Sequence, residues 1–376
     1  MRVLIAHVPY EYRGGEDVHV DVLFEVYKKL GYEVDFIPKK RVFHKKKLRE
    51  SVRSLLALNS FSDFDHILKT NRPDFIHMHN AFPLLGPRFF QWVLEKKIPL
   101  LMTIHNHRFY CTNGLALRAG KICKICLNAK TGWRPLLYNC NSDFVKTLYH
   151  AMAITEMRAL DLYSKSVRKF IATSPYVQNE LIRSGIPSKQ VVHILNPIQP
   201  NITETVIENG FDVFYAGRLS EEKGIIYLLK AAKFLPELSI GIVGDGPLKQ
   251  LVERSAETLK NIKYMGVVDS KTALKFMSSS RLGVLPSICN EILPTSVMEA
   301  FYFGKPCVIA RQESTEWLGS PPFNGILVKS GDAEDLAQGI RKGISKQVSK
   351  DSINTIREKL SIENFSNELS QVIKNI

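Results

Sequence analysis

Pro286-Ser287-Ile288-Cys289-Asn290-Glu291-Ile292-Leu293-Pro294-Thr295-Ser296-Val297-Met298-Glu299-Ala300 follows the apolar run Leu282 to Leu285, and its reading sets the architecture of the chain. The apolar run reads as a buried strand. Pro286 and Asn290 mark a loop, and a helix opens near Pro294. Glu291 therefore stands at a helix mouth and Glu299 inside the helix. Brought together beside a helix N-terminus, two carboxylates can hold several hydroxyls of one polar ligand while backbone N–H groups face an anion. The simpler alternative makes Glu291 a partner of the helix dipole and Glu299 a solvated helix residue.

Outward from this stretch, strand-like runs alternate with helical patterns along the whole chain. Strands are expected at 2–8, 32–37, 74–79, 99–104, 169–173 and 191–195. A second series is expected near 211–216, 239–243, 261–265, 282–285, 306–309 and 325–328, with crossover helices at stretches such as 16–30 and 175–184. Alternation of this kind implies parallel β-α-β units. At 376 residues the chain exceeds one ordinary core, at about 150 residues per domain. The hinge is Asn196-Pro197-Ile198-Gln199-Pro200 through Gly210. We expect an α/β chain of two Rossmann-like, doubly wound parallel-sheet domains facing across a cleft. They are residues 1–197, with a cysteine-containing insertion at about 108–142, and residues 198–350. A helical segment, 351–376, returns to the first domain. Ligands sit beyond the carboxyl ends of strands in such sheets.

The two-glutamate stretch, with Pro286-Ser287 before it and Gly304-Lys305-Pro306 after it, resembles the signature of retaining GT-B glycosyltransferases that use nucleotide sugars. Many relatives carry a Gly-Phe-Gly-like turn after the first glutamate. This chain has Ile292-Leu293-Pro294 there, and Pro294 has no N–H to give. The resemblance extends to Phe214-Tyr215-Ala216-Gly217-Arg218-Leu219-Ser220-Glu221-Glu222-Lys223-Gly224 and to Gly241-Ile242-Val243-Gly244-Asp245-Gly246-Pro247-Leu248. It implies that Glu299 holds the donor ribose and Glu291 contacts the sugar hydroxyls. Arg218, Lys223 and Gly15 hold the diphosphate, Gly244 admits close backbone approach, and His105 lines the sugar pocket. On their own residues, Arg218 offers a fixed fork for phosphate oxygens and Lys223 a point charge, though each also suits an ordinary surface. Gly14-Gly15 suits a phosphate-facing turn or a plain tight turn. His105, ending the strand of Thr103-Ile104-His105, suits hydrogen bonding or proton handling. His77 and His79 read as structural or cleft-lining.

The chemistry implied is transfer of a sugar from a nucleoside diphosphate to an acceptor hydroxyl, with Glu291 and His105 at the reacting sugar and no cofactor required. The rival reading is a catalytically silent GT-B protein that binds a nucleotide sugar or a partner glycosyltransferase. Asp63-Phe64-Asp65 has the form of a divalent-cation site, but its surroundings read as helix, on which residues two apart diverge.

Four of the six cysteines fall in the insertion. Cys123 and Cys126 have the spacing that lets two thiolates reach one zinc, and Cys111 and Cys140 can complete a structural four-thiolate site. Four free, partly buried thiols are the equal alternative. Such cysteine usage in so long a chain, a first strand at Met1 to Val8, and no apolar run of ~18 residues point to a cytoplasmic protein.

The net charge of +14 is one-sided: residues 1–197 hold 30 Lys and Arg against 16 Asp and Glu, and the remainder 21 against 21. Eight of those cations lie between Lys39 and Arg53, interleaved with Phe43, Leu48 and Val52. A basic helix over 39–56 that lies on the anionic inner face of the plasma membrane, near a lipid-linked or glycan acceptor, fits this pattern. Packing of the apolar stripe on the first domain fits it too. No nucleic-acid reader motif accompanies the charge.

Overall fold

The computed structural model describes residues 1–8, 14–37, 68–69, 71–82, 85–129, 131–198 and 210–376. The basic segment 39–56, Asp63, Asp65 and most of the expected hinge lie outside the described residues. The described chain divides into two compact units. The first comprises Met1–Ala116, Cys123–Pro197 and Phe365–Ile376, the second Leu117–Ile122 and Ile198–Asn364.

The first unit carries β1 (Arg2–His7), β2 (Glu33–Ile37), β3 (Phe75–Asn80) and β4 (Leu100–Ile104). The short antiparallel hairpin β5 (Leu117–Arg118) and β6 (Lys121–Ile122) belongs to the second unit. Then β7 (Val167–Ala172) and β8 (Val191–His193) complete a sheet of order β2-β1-β3-β4-β7-β8, parallel throughout. Every residue of β3 and β4 is buried, as in a sheet covered on both faces. The helix Gly15–Lys29 follows β1. Its acidic first turn, Glu16 and Asp17, and its basic end, Lys28 and Lys29, both complement the helix dipole.

The second unit repeats the plan with β9 (Val213–Ala216), β10 (Ile240–Val243), β11 (Ile262–Tyr264), β12 (Leu282–Leu285), β13 (Cys307–Arg311) and β14 (Ile326–Lys329). Their order is β11-β10-β9-β12-β13-β14, again parallel. Its core gathers Val213, Leu228, Ile240, Leu282, Val308 and Ile340, none of them more than 0% exposed. Fully burying such a side chain stabilises by about 1.5–3 kcal/mol. The helix Ile362–Ile373 ends the chain's regular structure. Its Phe365 meets the ring of His19 edge-on at 5.5 Å within the first unit. None of the described helices is long and apolar enough to cross a membrane.

Candidate functional site

In the second unit the chain leaves β9 for β10 on one side and returns later as β12 on the other, so strand order reverses between β9 and β12. A crevice opens beyond the carboxyl ends of strands at such a point. Gly217 to Gly224 leaves β9 there, and Pro286 to Glu291 leaves β12.

The two loops are locked together through their backbones. Ile288 N–H donates to the Glu222 carbonyl at 3.0 Å. Gly224 takes φ +67°, and a Cβ there would lie 1.9 Å from the Pro286 oxygen, so only glycine fits. This contact brings Lys223 to Glu291 across 68 residues of sequence. The Lys223 Nζ stands 2.8 Å from each oxygen of the Glu291 carboxylate, which is 7% exposed. Burial lowers the Lys223 ammonium, and the Glu291 charge outweighs it, raising the group above its ordinary value. Ser287 Oγ donates to Glu291 Oε1 at 2.6 Å, and Ser314 Oγ accepts from the Glu291 N–H at 2.9 Å. Ser314 was invisible to motif reading. Ser287 stands in the quoted stretch, but only the fold shows what its hydroxyl holds.

Arg218 is exposed at the end of β9, and among the described residues its guanidinium has no hydrogen-bond partner. Its carbonyl accepts from the Tyr215 hydroxyl at 2.9 Å, which fixes the backbone beneath it. The helix Thr295–Tyr302 begins after Pro294 with no side-chain cap. Its first N–H groups, at Thr295 and Ser296, are among those a helix cannot satisfy internally. Glu299 lies four residues into this helix, half-buried and without a partner among the described residues. Burial pushes its carboxyl up to about 7. Gly244 has a structural reason to be glycine. Its φ is +141°, a Cβ would lie 1.9 Å from the Gly217 oxygen, and its N–H already donates to Gly266 at 2.9 Å.

In the first unit strand order reverses between β1 and β3, and the register of that pair shifts between Ala6 and His7. Gly14 N–H donates to the Asp17 carboxylate at 2.9 Å, a local cap on the helix that Gly15 begins. The other Asp17 oxygen lies 2.9 Å from His7 Nε2, and Glu16 lies 3.5 Å from His7 Nδ1. Burial pulls the His7 imidazole down, but the two carboxylates outweigh it and raise it to about 9. This helix mouth is therefore already occupied by charge, and Gly15 carries its leading N–H.

Beside it lies a cluster of imidazoles. His79 Nδ1 and His105 Nε2 share a hydrogen bond at 2.9 Å, with their rings stacked at 5.2 Å. The His19 ring is 5.2 Å from His105 and 5.5 Å from His79. Both His19 nitrogens and His79 Nε2 are buried without a hydrogen-bond partner. Burial holds His19 at about 3, and holds His79 and His105 well below the ordinary histidine range, with the neighbouring imidazoles adding to the effect. His105 is thus a neutral hydrogen-bonding group at pH 7, not a cationic acid. His77 is held by Tyr27 at 2.7 Å and Thr103 at 2.8 Å, a structural role. His19 escaped sequence reading. Its one signal is a polar residue on the buried face of an amphipathic helix.

Ligand nitrogens of His19, His79 and His105 lie within 4.8 Å of one another, near enough to consider a divalent ion. Stacked rings direct their in-plane lone pairs side by side, however. A 2.9 Å nitrogen pair meets through a proton rather than converging on a metal.

Over residues 13–201 the chain matches the family model described as Glycosyltransferase Family 4, and over residues 200–359 the one described as Glycosyl transferases group 1. The chain belongs to the GT-B glycosyltransferases. An uncharacterised glycosyltransferase of Methanocaldococcus jannaschii is 23% identical over 362 residues, 92% of this chain and 89% of its own length. The lipopolysaccharide core biosynthesis glycosyltransferase LpsD of Rhizobium meliloti is 26% identical over 161 residues, 41% of this chain and 46% of its own length. The fold of this glycosyltransferase is similar to that of Anabaena HepE, solved with UDP-glucose. The TM-score is 0.70 at 16% identity, with the whole of each chain covered.

Proposed function

We propose that this glycosyltransferase transfers a sugar from a nucleoside diphosphate to an acceptor hydroxyl with retention at the anomeric carbon, in the synthesis of a surface polysaccharide or glycolipid. The observation that carries the reading is the Lys223–Glu291 pair, at 2.8 Å to both oxygens, beside the unpartnered Arg218 at the strand-order reversal of the second sheet. An ammonium has three donors, and two of them face Glu291, leaving one for a phosphate oxygen. Arg218 adds a bidentate fork, and the uncapped helix Thr295–Tyr302 adds backbone N–H groups. Glu299 takes the ribose hydroxyls, whose donors suit its unpartnered carboxyl. His105, neutral and steered by His79, hydrogen-bonds the transferred sugar, and the Gly15 N–H assists the diphosphate. Gly244 shapes the turn beneath Gly217.

In the transfer, the bond from the anomeric carbon to the diphosphate oxygen breaks and its electron pair leaves with the diphosphate. Lys223 and Arg218 stabilise that growing charge. The acceptor oxygen bonds the same face of the oxocarbenium-like carbon, and its proton passes to the departing phosphate oxygen. Glu291 is held by Lys223 and Ser287, orients the sugar hydroxyls, and forms no covalent intermediate. Binding of UDP-glucose by HepE and the lipopolysaccharide role of LpsD support the donor class and the acceptor class.

The test is turnover of α-linked nucleoside-diphosphate hexoses with a mixed lipid and glycan acceptor extract, without added magnesium or manganese. Free nucleoside diphosphate should be released and NMR should find an α-anomeric product. A β-product refutes retention. Nucleotide-sugar binding without release marks the silent binder, and turnover that requires added divalent ion refutes the metal-independent scheme.

A further inference from the structure

We infer that Arg108 is an anion-binding residue of the first unit, holding a phosphate or carboxylate group on the acceptor. The inference rests on the proposed transfer: with the donor diphosphate taken by the second unit's cations, an anion held beside His105 belongs to the acceptor.

Arg108 lies three residues after His105, in the 3₁₀ turn His107–Phe109, and its place is fixed from both ends. Its backbone N–H donates to Asn106 Oδ1 at 2.9 Å, and the His107 N–H closes the loop on the Gly114 carbonyl at 3.2 Å. At the far end of the side chain, Nη1 donates to the Thr112 carbonyl at 3.2 Å and to His150 Nε2 at 3.1 Å. A guanidinium has no lone pair, so the imidazole nitrogen is the acceptor. Burial and the neighbouring guanidinium hold His150 at about 3, which keeps it neutral at pH 7.

Both anchors are neutral, and among the described residues no carboxylate pairs with Arg108. A half-buried cation is therefore left without a local counter-charge. The protein uses only Nη1 of the guanidinium, and Nε and Nη2 stay open to solvent without a partner among the described residues. Their three N–H groups lie along one edge of the plane, the edge that meets a carboxylate or a phosphate with two parallel hydrogen bonds. Gly114, at φ +74°, leaves room along it: a Cβ there would lie 2.9 Å from Arg108 Cγ and 3.2 Å from Nε. Because the side chain is already immobilised, little rotamer freedom is lost when an anion arrives.

Arg108 also lines one hollow with His79, His105 and Asn106, which places it beside the imidazole assigned to the transferred sugar. At about 10 Å³ the hollow takes no more than a water, so the anion meets the open edge of the guanidinium instead. The excess of cations in residues 1–197 draws the same class of ligand.

The test is calorimetric titration of the full chain with hexyl glucoside, hexyl glucuronide and hexyl phosphate, with UDP in excess to occupy the second unit's cations. At least one anionic probe should bind about 10- to 100-fold more tightly than the neutral glucoside. Preference for the glucuronide assigns a uronate-bearing acceptor, and preference for the phosphate a phosphate-bearing one. Arg108→Gln should abolish the preference. Arg108→Lys, which keeps the charge without the fork, should keep only part of it, and it decides the matter if the Gln variant fails to melt cooperatively. Equal binding of anionic and neutral probes by wild type, or an unchanged preference in either variant, overturns the inference. Binding of UDP by wild type, read in the same experiment, tests the donor reading separately: its absence would sink that reading and leave the comparison at Arg108 standing.

Discussion

Replacing Glu299 by Gln removes a carboxyl that burial raises from an ordinary 4.5 to about 7. An acid whose folded value exceeds its unfolded one holds its proton more tightly when folded. Its ionisation therefore opposes folding as pH rises between the two values. Below about 4.5 both states are protonated and the penalty is absent; above about 7 it is complete. That window is about 2.5 units, and at 1.36 kcal/mol per unit the full penalty is about 3 kcal/mol. Gln keeps the shape and hydrogen-bonding atoms without the charge. The variant should therefore exceed wild type by under ~1 kcal/mol at pH 5 and by about 3 kcal/mol at pH 8. For a unit of this size, that is a rise of up to ~10 °C in the melting of the second unit at pH 8. Thermal melts across the pH range measure it. A stability difference that is the same at pH 5 and pH 8 would refute the desolvation argument. Donor binding gives the second arm, because ribose hydroxyls donating to the carboxylate favour its charged form. Wild type should release a fraction of a proton on binding nucleoside diphosphate at pH 7, seen by calorimetry in buffers of different ionisation enthalpy. Glu299→Gln should release less, keeping only the share that the terminal phosphate gives up to its cations. Equal release from both proteins would remove Glu299 from the ribose.

Arg218→Ala and Lys223→Ala should each slow transfer by ~30- to 1000-fold with the fold intact, from about 2–4 kcal/mol of lost leaving-group stabilisation; turnover of both within a factor of two of wild type would sink the phosphate clamp. Residues 39–56 should draw the chain onto anionic but not neutral vesicles at low salt, with binding fading as the screening length falls from ~10 Å at 0.1 M to ~3 Å at 1 M. Protein that stays in the supernatant with anionic vesicles at low salt, or unchanged binding after Lys45, Lys46 and Lys47 become Glu, would end the membrane hypothesis.

The strands were legible because parallel strands buried on both faces must be written as short apolar runs, and turn residues bound them. Leu282–Leu285 stands where its sequence places it, and the other eleven expected strands differ at their ends by at most two residues. The β5–β6 hairpin was not legible, since strands of two residues carry no period. The site was legible as a set of residue types but not as a set of partners. Lys223 and Glu291 were assigned separately to diphosphate and sugar. Their mutual bond depends on Gly224 meeting Pro286, a contact between loops far apart in sequence. The imidazole cluster has the same cause. His19, His79 and His105 come from a helix, a strand and a strand end, and no spacing rule joins them.

In the proposed transfer the imidazole cluster and the second unit's cations would have separate roles. A departing diphosphate needs cations, and on the proposed reading Arg218 and Lys223 of the second unit would supply them, the latter tied to a carboxylate that fixes its place. A sugar passing through an oxocarbenium-like state would be repelled by a cationic imidazole near the anomeric carbon. Burial prevents that charge: His19, His79 and His105 all stay neutral far below pH 7, while the cationic His7 is balanced by Asp17 and Glu16. Neutral imidazoles with open nitrogens can still accept from sugar hydroxyls or donate to them, whichever the bound sugar requires. The price is three buried nitrogens without hydrogen-bond partners, His19 Nδ1 and Nε2 and His79 Nε2, each costing on the order of 1–3 kcal/mol. A polar group that reaches His19 or His79 recovers that cost, and His105, hydrogen-bonded to His79, is the imidazole that ties the proposed sugar contact to them.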